Sequence, residues 1–288
     1  MSIVRIVRAC VAATALPAAL LTGLPTSGSA QDISQDWAGP AHVSLELARP
    51  FLDWGLGSDD GLSALSGFGY FSGVLGSGRM RFIFDVPFAR GSYDSGGFGD
   101  GSSSMIGSPF AGVAWAPTGD RQGVSGAIGA RIPVPESFEF GDDDFAAGLG
   151  IQGDPHRLEA FVTKTATLSG TLRAETPLNE NAFVRGQLEL DALIYTGDTT
   201  GDRTEVFGGW GGLIGWEGDT AFASAQLNGR AVLTEDGDDR VFHTVEGQAG
   251  LARGTVQPWV GLRVPVQGRF VEDVDWVLRF GIRVVPGS

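Results

Sequence analysis

The chain has 288 residues, with 20 Lys and Arg against 34 Asp and Glu, for a formal net charge of −14. Acidity on this scale excludes a nucleic-acid partner, which demands a basic surface. A single cysteine excludes a disulfide framework, and the lack of any long apolar run after residue 30 excludes transmembrane helices.

Residues 1–30 read as a secretory signal peptide. Arg5 and Arg8 precede an apolar run to Leu24, and Ser27-Gly28-Ser29-Ala30 offers a cleavage site before Gln31. An N-terminal anchor is the alternative; Pro17, Gly23 and the shortness of the run argue against it. Cys10 lies inside this segment with no lipoprotein box before it, so the processed chain holds no thiol and enters an oxidising compartment. Cleavage removes two arginines and no acid, leaving a formal charge of −16 and one lysine, Lys164. Residues 31–288 then suit one domain.

From there the chain reads as about twelve strands of alternating character. The first, 41–51, sets Val43, Leu45 and Leu47 against His42, Ser44 and Glu46. The second, 62–75, is glycine-rich with no clear facing. The third, 79–89, sets Met80, Phe82, Phe84, Val86 and Phe88 against Arg79, Arg81 and Asp85. The fourth, 105–116, turns Ala111, Val113 and Trp115 outward. The fifth, 123–134, turns Ile128, Ile132 and Val134 outward and Ser125 and Arg131 inward. The sixth and seventh, 165–176 and 182–195, place Arg173, Glu175, Arg185, Glu189 and Asp191 on the polar face. The eighth to eleventh, 203–216, 220–233, 241–252 and 255–266, add Glu205, Arg230, Glu246 and Arg263. The twelfth, 274–285, puts Trp276, Leu278, Phe280, Ile282 and Val284 out and Asp275, Arg279 and Arg283 in. Period two over so many segments predicts an all-β fold: a single antiparallel up-and-down transmembrane β-barrel, residues 31–288, in the bacterial outer membrane. Scattered glycine fits the curvature of such a wall.

The connections are alternately short and long. The short ones, near Gly76-Ser77-Gly78, Pro117–Gln122, Leu178–Asn181, Glu217-Gly218-Asp219 and Arg253-Gly254, read as periplasmic turns. The longer ones, 53–61, 90–104, 135–164, 196–202, 234–240 and 267–273, read as outer loops. Phe51, Phe88 and Trp276 predict an outer aromatic girdle, and Trp115 and Trp216 a periplasmic one. Trp210, near mid-strand, fits neither. Phe84 and Leu190 should face lipid, while Ile83, on the opposite face, should tolerate a charge.

Ile106-Gly107-Ser108-Pro109-Phe110-Ala111-Gly112 and Gly129-Ala130-Arg131-Ile132-Pro133 resemble phrases of the phenol meta-pathway and hydrocarbon-uptake barrels of proteobacteria. The resemblance covers about thirty residues. It implies a channel for small, aromatic compounds. The chain departs from outer-membrane barrels at its end, where Pro286-Gly287-Ser288 replaces a terminal Phe.

The candidate pore lining is Arg79, Arg81, Arg131, Arg173, Arg185, Arg230, Arg263, Arg279 and Arg283 with Glu175, Glu189 and Asp191, supplemented by Glu46, Asp85, Glu205 and Glu246. Guanidinium groups shape a pore field; alternatively the same charges pair across strands and fill a narrow barrel. Acidic runs at Asp59-Asp60, Asp142–Asp144, Glu235-Asp236 and Asp238-Asp239 suit divalent cations but match no spaced calcium loop, and a solvated acidic surface is the plainer reading, because charge runs usually lie in solvent. His42 and Ser44 share the polar face, where a lipase nucleophile would not meet lipid. The Gly208–Gly212 run has no phosphate-loop context. His156 and His243 make no metal-ligand pattern.

These observations imply a passive channel or transporter for a small solute, with no cofactor and no enzyme activity. Its partners would be outer-membrane lipid and the barrel-assembly machinery. A structural or surface-interaction barrel with a plugged lumen is the alternative. Segment 135–164 decides between them. It carries Glu136, Glu139 and Asp142–Asp144, then turns amphipathic around Leu158, Phe161 and Val162. It either stays in solvent or folds inward, with Phe161 in the barrel mouth and its acids on Arg131 and Arg185.

Overall fold

The structure is a computed structural model, and it describes residues 40–52, 66–76, 78–94, 100–116, 123–134, 139–141, 145–196, 204–234, 240–268 and 274–286. The signal-peptide reading and the acidic runs at 59–60, 142–144 and 235–239 fall outside these residues.

Fourteen strands form: β1 His42–Leu52, β2 Gly67–Leu75, β3 Met80–Asp94, β4 Asp100–Ile106, β5 Phe110–Trp115, β6 Gly123–Arg131, β7 Glu139–Gly141, β8 Thr165–Pro177, β9 Ala182–Tyr195, β10 Thr204–Glu217, β11 Ala221–Val232, β12 Val241–Leu251, β13 Val256–Gln267 and β14 Val274–Val284. Every pairing is antiparallel between neighbours, and β1 pairs with both β2 and β14, so the sheet closes on itself. β4 and β5 are one stave interrupted at Gly107-Ser108-Pro109, since both pair with β3, through Phe88 opposite Ile106 and Asp85 opposite Phe110. β7 only extends β4 beyond the wall. The barrel therefore has twelve staves, and the predicted strands agree with them to within a few residues at most ends. Closure removes every edge, which is what lets a sheet cross a bilayer.

The wall alternates as its period dictates. Leu47, Phe82, Ile128, Leu168, Ile214, Val260 and Phe280 lie exposed on the outside. Phe71 and Leu75 settle the facing of β2: they point out while Phe68, Tyr70 and Val74 point in. Phe51 stacks on Trp276 at the outer end with ring centroids 3.6 Å apart.

Trp210 covers the outer surface above Gly229, where a Cβ would meet its indole at 2.3 Å. Trp259 covers Gly281 at 2.2 Å in the same way on the lumen side, beneath Arg279. An aromatic laid over a cross-strand glycine restores the packing that glycine forfeits. That is the place of Trp210, not a girdle.

Four expectations need correction. Arg79 is exposed in the turn before β3, because the strand begins one residue later, at Met80. Val134 is buried, because β6 ends at Arg131 and strand alternation ends with it. Asp275 is exposed, because a bulge opposite Phe51 and Leu52 skips it and turns Val274 inward instead. Ile83 does face the lumen, but it packs in an apolar cluster with Val74, Phe110, Ala114 and Ala127, so a charge there would be buried without a partner.

Candidate functional site

Between β7 and β8 the chain enters the barrel. Helix α1, Phe145–Gly153, leads into a 3-10 segment, η1, Pro155–Ala160. The helix has no amphipathic pattern of its own; its glycines make it thin. A Cβ at Gly150 would lie 2.3 Å from the Phe161 ring, and one at Gly153 would lie 2.2 Å from Phe68. So α1 can sit close against the wall and against its own return.

Apolar contacts anchor the segment on opposite sides of the lumen. Phe161 meets Phe68 and Tyr70 edge-on, each at 5.8 Å, and joins Ala146, Ala160, Met105 and Val277 in one cluster. Leu158 joins Leu193, Phe207, Val232 and Phe242 of β9 to β12 in another. The backbone is tied to the wall as well. Ser108 N donates to Ala160 O at 2.8 Å, at the break between β4 and β5, and Ala146 N donates to Ser103 Oγ at 2.7 Å. Inward folding of 145–162 with Phe161 in the mouth is therefore what the structure shows.

Charges of the segment meet charges of the wall. Glu159 accepts from Arg230 at 2.8 Å and lies 3.5 Å from Arg131. Arg131 also holds Asp85 at 2.7 Å, and Arg230 holds Asp191 at 2.9 Å. Asp154 accepts from Arg157 at 2.8 Å and forms an ion pair with Arg263 at 2.7 Å. Arg263 and Arg279 share Glu246, and Arg279 and Arg157 share Glu46. Arg157 lies 3.5 Å over the Tyr70 ring, and the Tyr70 hydroxyl donates to Asp154. Asp154, Glu159, Asp191, Arg131 and Arg230 are at most 1% exposed, so each charge depends on its partners. Burial pushes the Asp154 carboxyl up, but Arg157, Arg263 and Arg279 outweigh it and hold the group below the usual carboxylate range.

Of the residues proposed for the lining, Arg131, Arg230, Arg263, Arg279 and Asp191 converge on this network. Arg173 lies just below it and donates to Gln187 at 2.6 Å; Gln187 in turn donates to Glu189. Arg185 pairs with Glu175 at 2.6 Å, so it does not meet the inserted segment as expected. Arg81 donates to Gly78 O at the periplasmic end, Arg283 is half-buried near the same end of β14, and Arg79 lies outside the lumen. Glu136 and Asp142–Asp144 lie outside the described residues. The acids that do meet wall arginines are Asp154 and Glu159.

Sequence reasoning missed Asp154, Arg157, Glu159 and Tyr70. One signal was available. Phe207, Leu193, Phe242 and Val277 are apolar on faces that a water-filled lumen would leave polar, and each now covers part of the inserted segment.

The fold is that of the bacterial outer-membrane β-barrels, with an apolar belt toward lipid and a charged interior. In structure the chain is similar to an outer-membrane channel from Pseudomonas putida F1, with a TM-score of 0.53 and 11% identity over 93% of this chain and 99% of that one. It is similar also to the NanC porin, with a TM-score of 0.50 and 7% identity over 85% and 98% of the two chains. No family model matches the sequence, and no curated protein matches it either.

Proposed function

We propose that this barrel is an outer-membrane channel for small solutes whose lumen is closed at rest by its own segment 145–162. The carrying observation is that segment's path across the lumen, from Phe161 on β2 to Leu158 on β9 to β12. The channel fold of the two structural neighbours supports the reading by analogy. The closure is built to be reversible. Its helix contains three glycines, each costing roughly 1 kcal/mol of helix propensity. Its ion pairs exchange for water when a lumen fills, and buried pairs are weak net contributors to stability for that reason.

The reading is non-enzymatic. Ser44 Oγ bonds Ser72 Oγ at 2.8 Å, and His42 Nδ1 faces the Pro40 carbonyl, so these two do not pair as base and nucleophile. Outer-membrane lipid and the assembly machinery are the partners such a barrel implies.

One observation favours a permanent plug: every charged group the segment contributes to the network is nine-tenths buried or more. A reversible tether separates the two. Ser103→Cys with Ala146→Cys links positions already in hydrogen-bond contact. In reconstituted vesicles, oxidation should stop solute flux and reduction should restore it. Equal flux in both states removes the segment from the mechanism. No flux in either state, with flux after excision of 145–162, makes it a permanent plug.

A further inference from the structure

The glycine run of β10 opens a pocket under the inserted segment. Gly209 and Gly211 lie on the lumen face of β10, so the wall there has no side chains. In register with them, β9 supplies Glu189 and Gln187, and β11 supplies Arg230 and Asn228. Strands spaced at about 4.8 Å set these two walls roughly 10 Å apart. Asp154 and His156 of the inserted segment close the top. The cavity is small, about 30 Å³.

Its lining is polar and unevenly satisfied. Glu189 receives Gln187 on one oxygen at 3.2 Å, while its other oxygen, Oε1, is shielded from solvent and has no donor. Asp191 lies within hydrogen-bond reach of Glu189, and its buried Oδ1 likewise has no donor from the protein. Arg230 gives Nη1 to Glu159 and the His156 carbonyl and Nη2 to Asp191, while its Nε is buried without an acceptor. Among the described residues of the middle lumen, seven carboxylates meet six guanidinium groups, an excess of one negative charge. In a dry interior that excess is met by one positive charge bearing hydrogen-bond donors, by a proton on the Glu189–Asp191 pair or by a protonated His156. A hydrocarbon satisfies none of this.

We propose that the pocket binds a small solute carrying one primary ammonium group, seated on Glu189 over Gly209, with Asn228 taking its neutral polar remainder. That the bound solute is also the one carried rests on the channel reading above; the binding itself does not.

The test is titration calorimetry on the full barrel folded in detergent at pH 7, with three probes of equal length: ethanolamine, ethylene glycol and glycolate. Ethanolamine should saturate a single site, and the other two should not. Glu189→Gln and Gly209→Ala should each weaken ethanolamine binding by about tenfold or more, the worth of one charge-assisted hydrogen bond. In Gly209→Ala the added Cβ would sit 2.9 Å from the Glu189 Cβ and 3.1 Å from its Cδ, displacing the carboxylate without removing it. Heat-modifiable gel mobility confirms that each variant is folded. Absence of ethanolamine saturation in wild type overturns the proposal, as when a proton shared by Glu189 and Asp191 already satisfies the pair. So does glycolate saturation, or unchanged binding in both folded variants. A barrel that conducts nothing in any form yet binds ethanolamine refutes the channel reading and supports the site.

Discussion

Asp154 shows how one residue couples the closure to pH. Arg157 and Arg263 hold its carboxyl below the usual range, so it contributes stability only while ionised. That contribution is complete above the ordinary aspartate value of about 3.9 and is lost as pH falls through the lower folded value. Limited proteolysis with an acid-active protease should therefore find segment 145–162 protected near pH 5 and cut progressively more at lower pH. Asp154→Asn should be cut at pH 5 as well; equal protection of both proteins would remove Asp154 from the latch. On the outer surface a single residue answers to lipid. Leu190 is exposed outside the barrel at mid-strand, and Leu190→Arg should cost about 2–4 kcal/mol in denaturant unfolding from bilayers. Gln248→Arg, on the lumen face of β12, should cost much less. Equal losses would contradict the facing of these strands.

At the scale of elements, α1 is a helix kept thin by glycine, and the same substitution has opposite signs along it. A Cβ at Gly148 meets nothing within 4 Å, so Gly148→Ala should stabilise the inserted helix by roughly 1 kcal/mol. At Gly150 the Cβ would lie 2.3 Å from Phe161, so Gly150→Ala should lift the segment from the wall. Hydrogen exchange of 145–162 should slow in the first variant and quicken in the second, and a shift of the same sign in both would contradict the packing. The strands were legible because half-buried staves must alternate, and period two survives even in glycine-rich sequence. The bulge at Asp275 was not legible, since nothing local marks where register slips. The inserted helix was not legible either: its amphipathic character lies in η1 and Phe161, and its own nine residues are small or apolar nearly all round, so no periodic face marks them. The ion pairs of the lumen join residues far apart in the chain, such as Glu46 and Arg279 on the first and last strands, which only closure of the barrel brings together.

For the molecule as a whole, a closed wall leaves the interior to choose between water and protein. Here two apolar clusters and a shared charge network choose protein for the upper lumen, while the glycine slot of β10 leaves a pocket below it. The residues resembling hydrocarbon-uptake barrels take part in that choice. Ser108 holds Ala160, its carbonyl accepts from Arg131, and Arg131 reaches Glu159. Single-channel recording in planar bilayers tests the central claim most directly, comparing the wild type with a variant in which 145–162 is replaced by a short flexible linker. The account predicts long closed periods with rare openings in the wild type and a steadily open, larger conductance in the variant, with both proteins heat-modifiable. A wild-type barrel that stands open with the same conductance as the variant would contradict it.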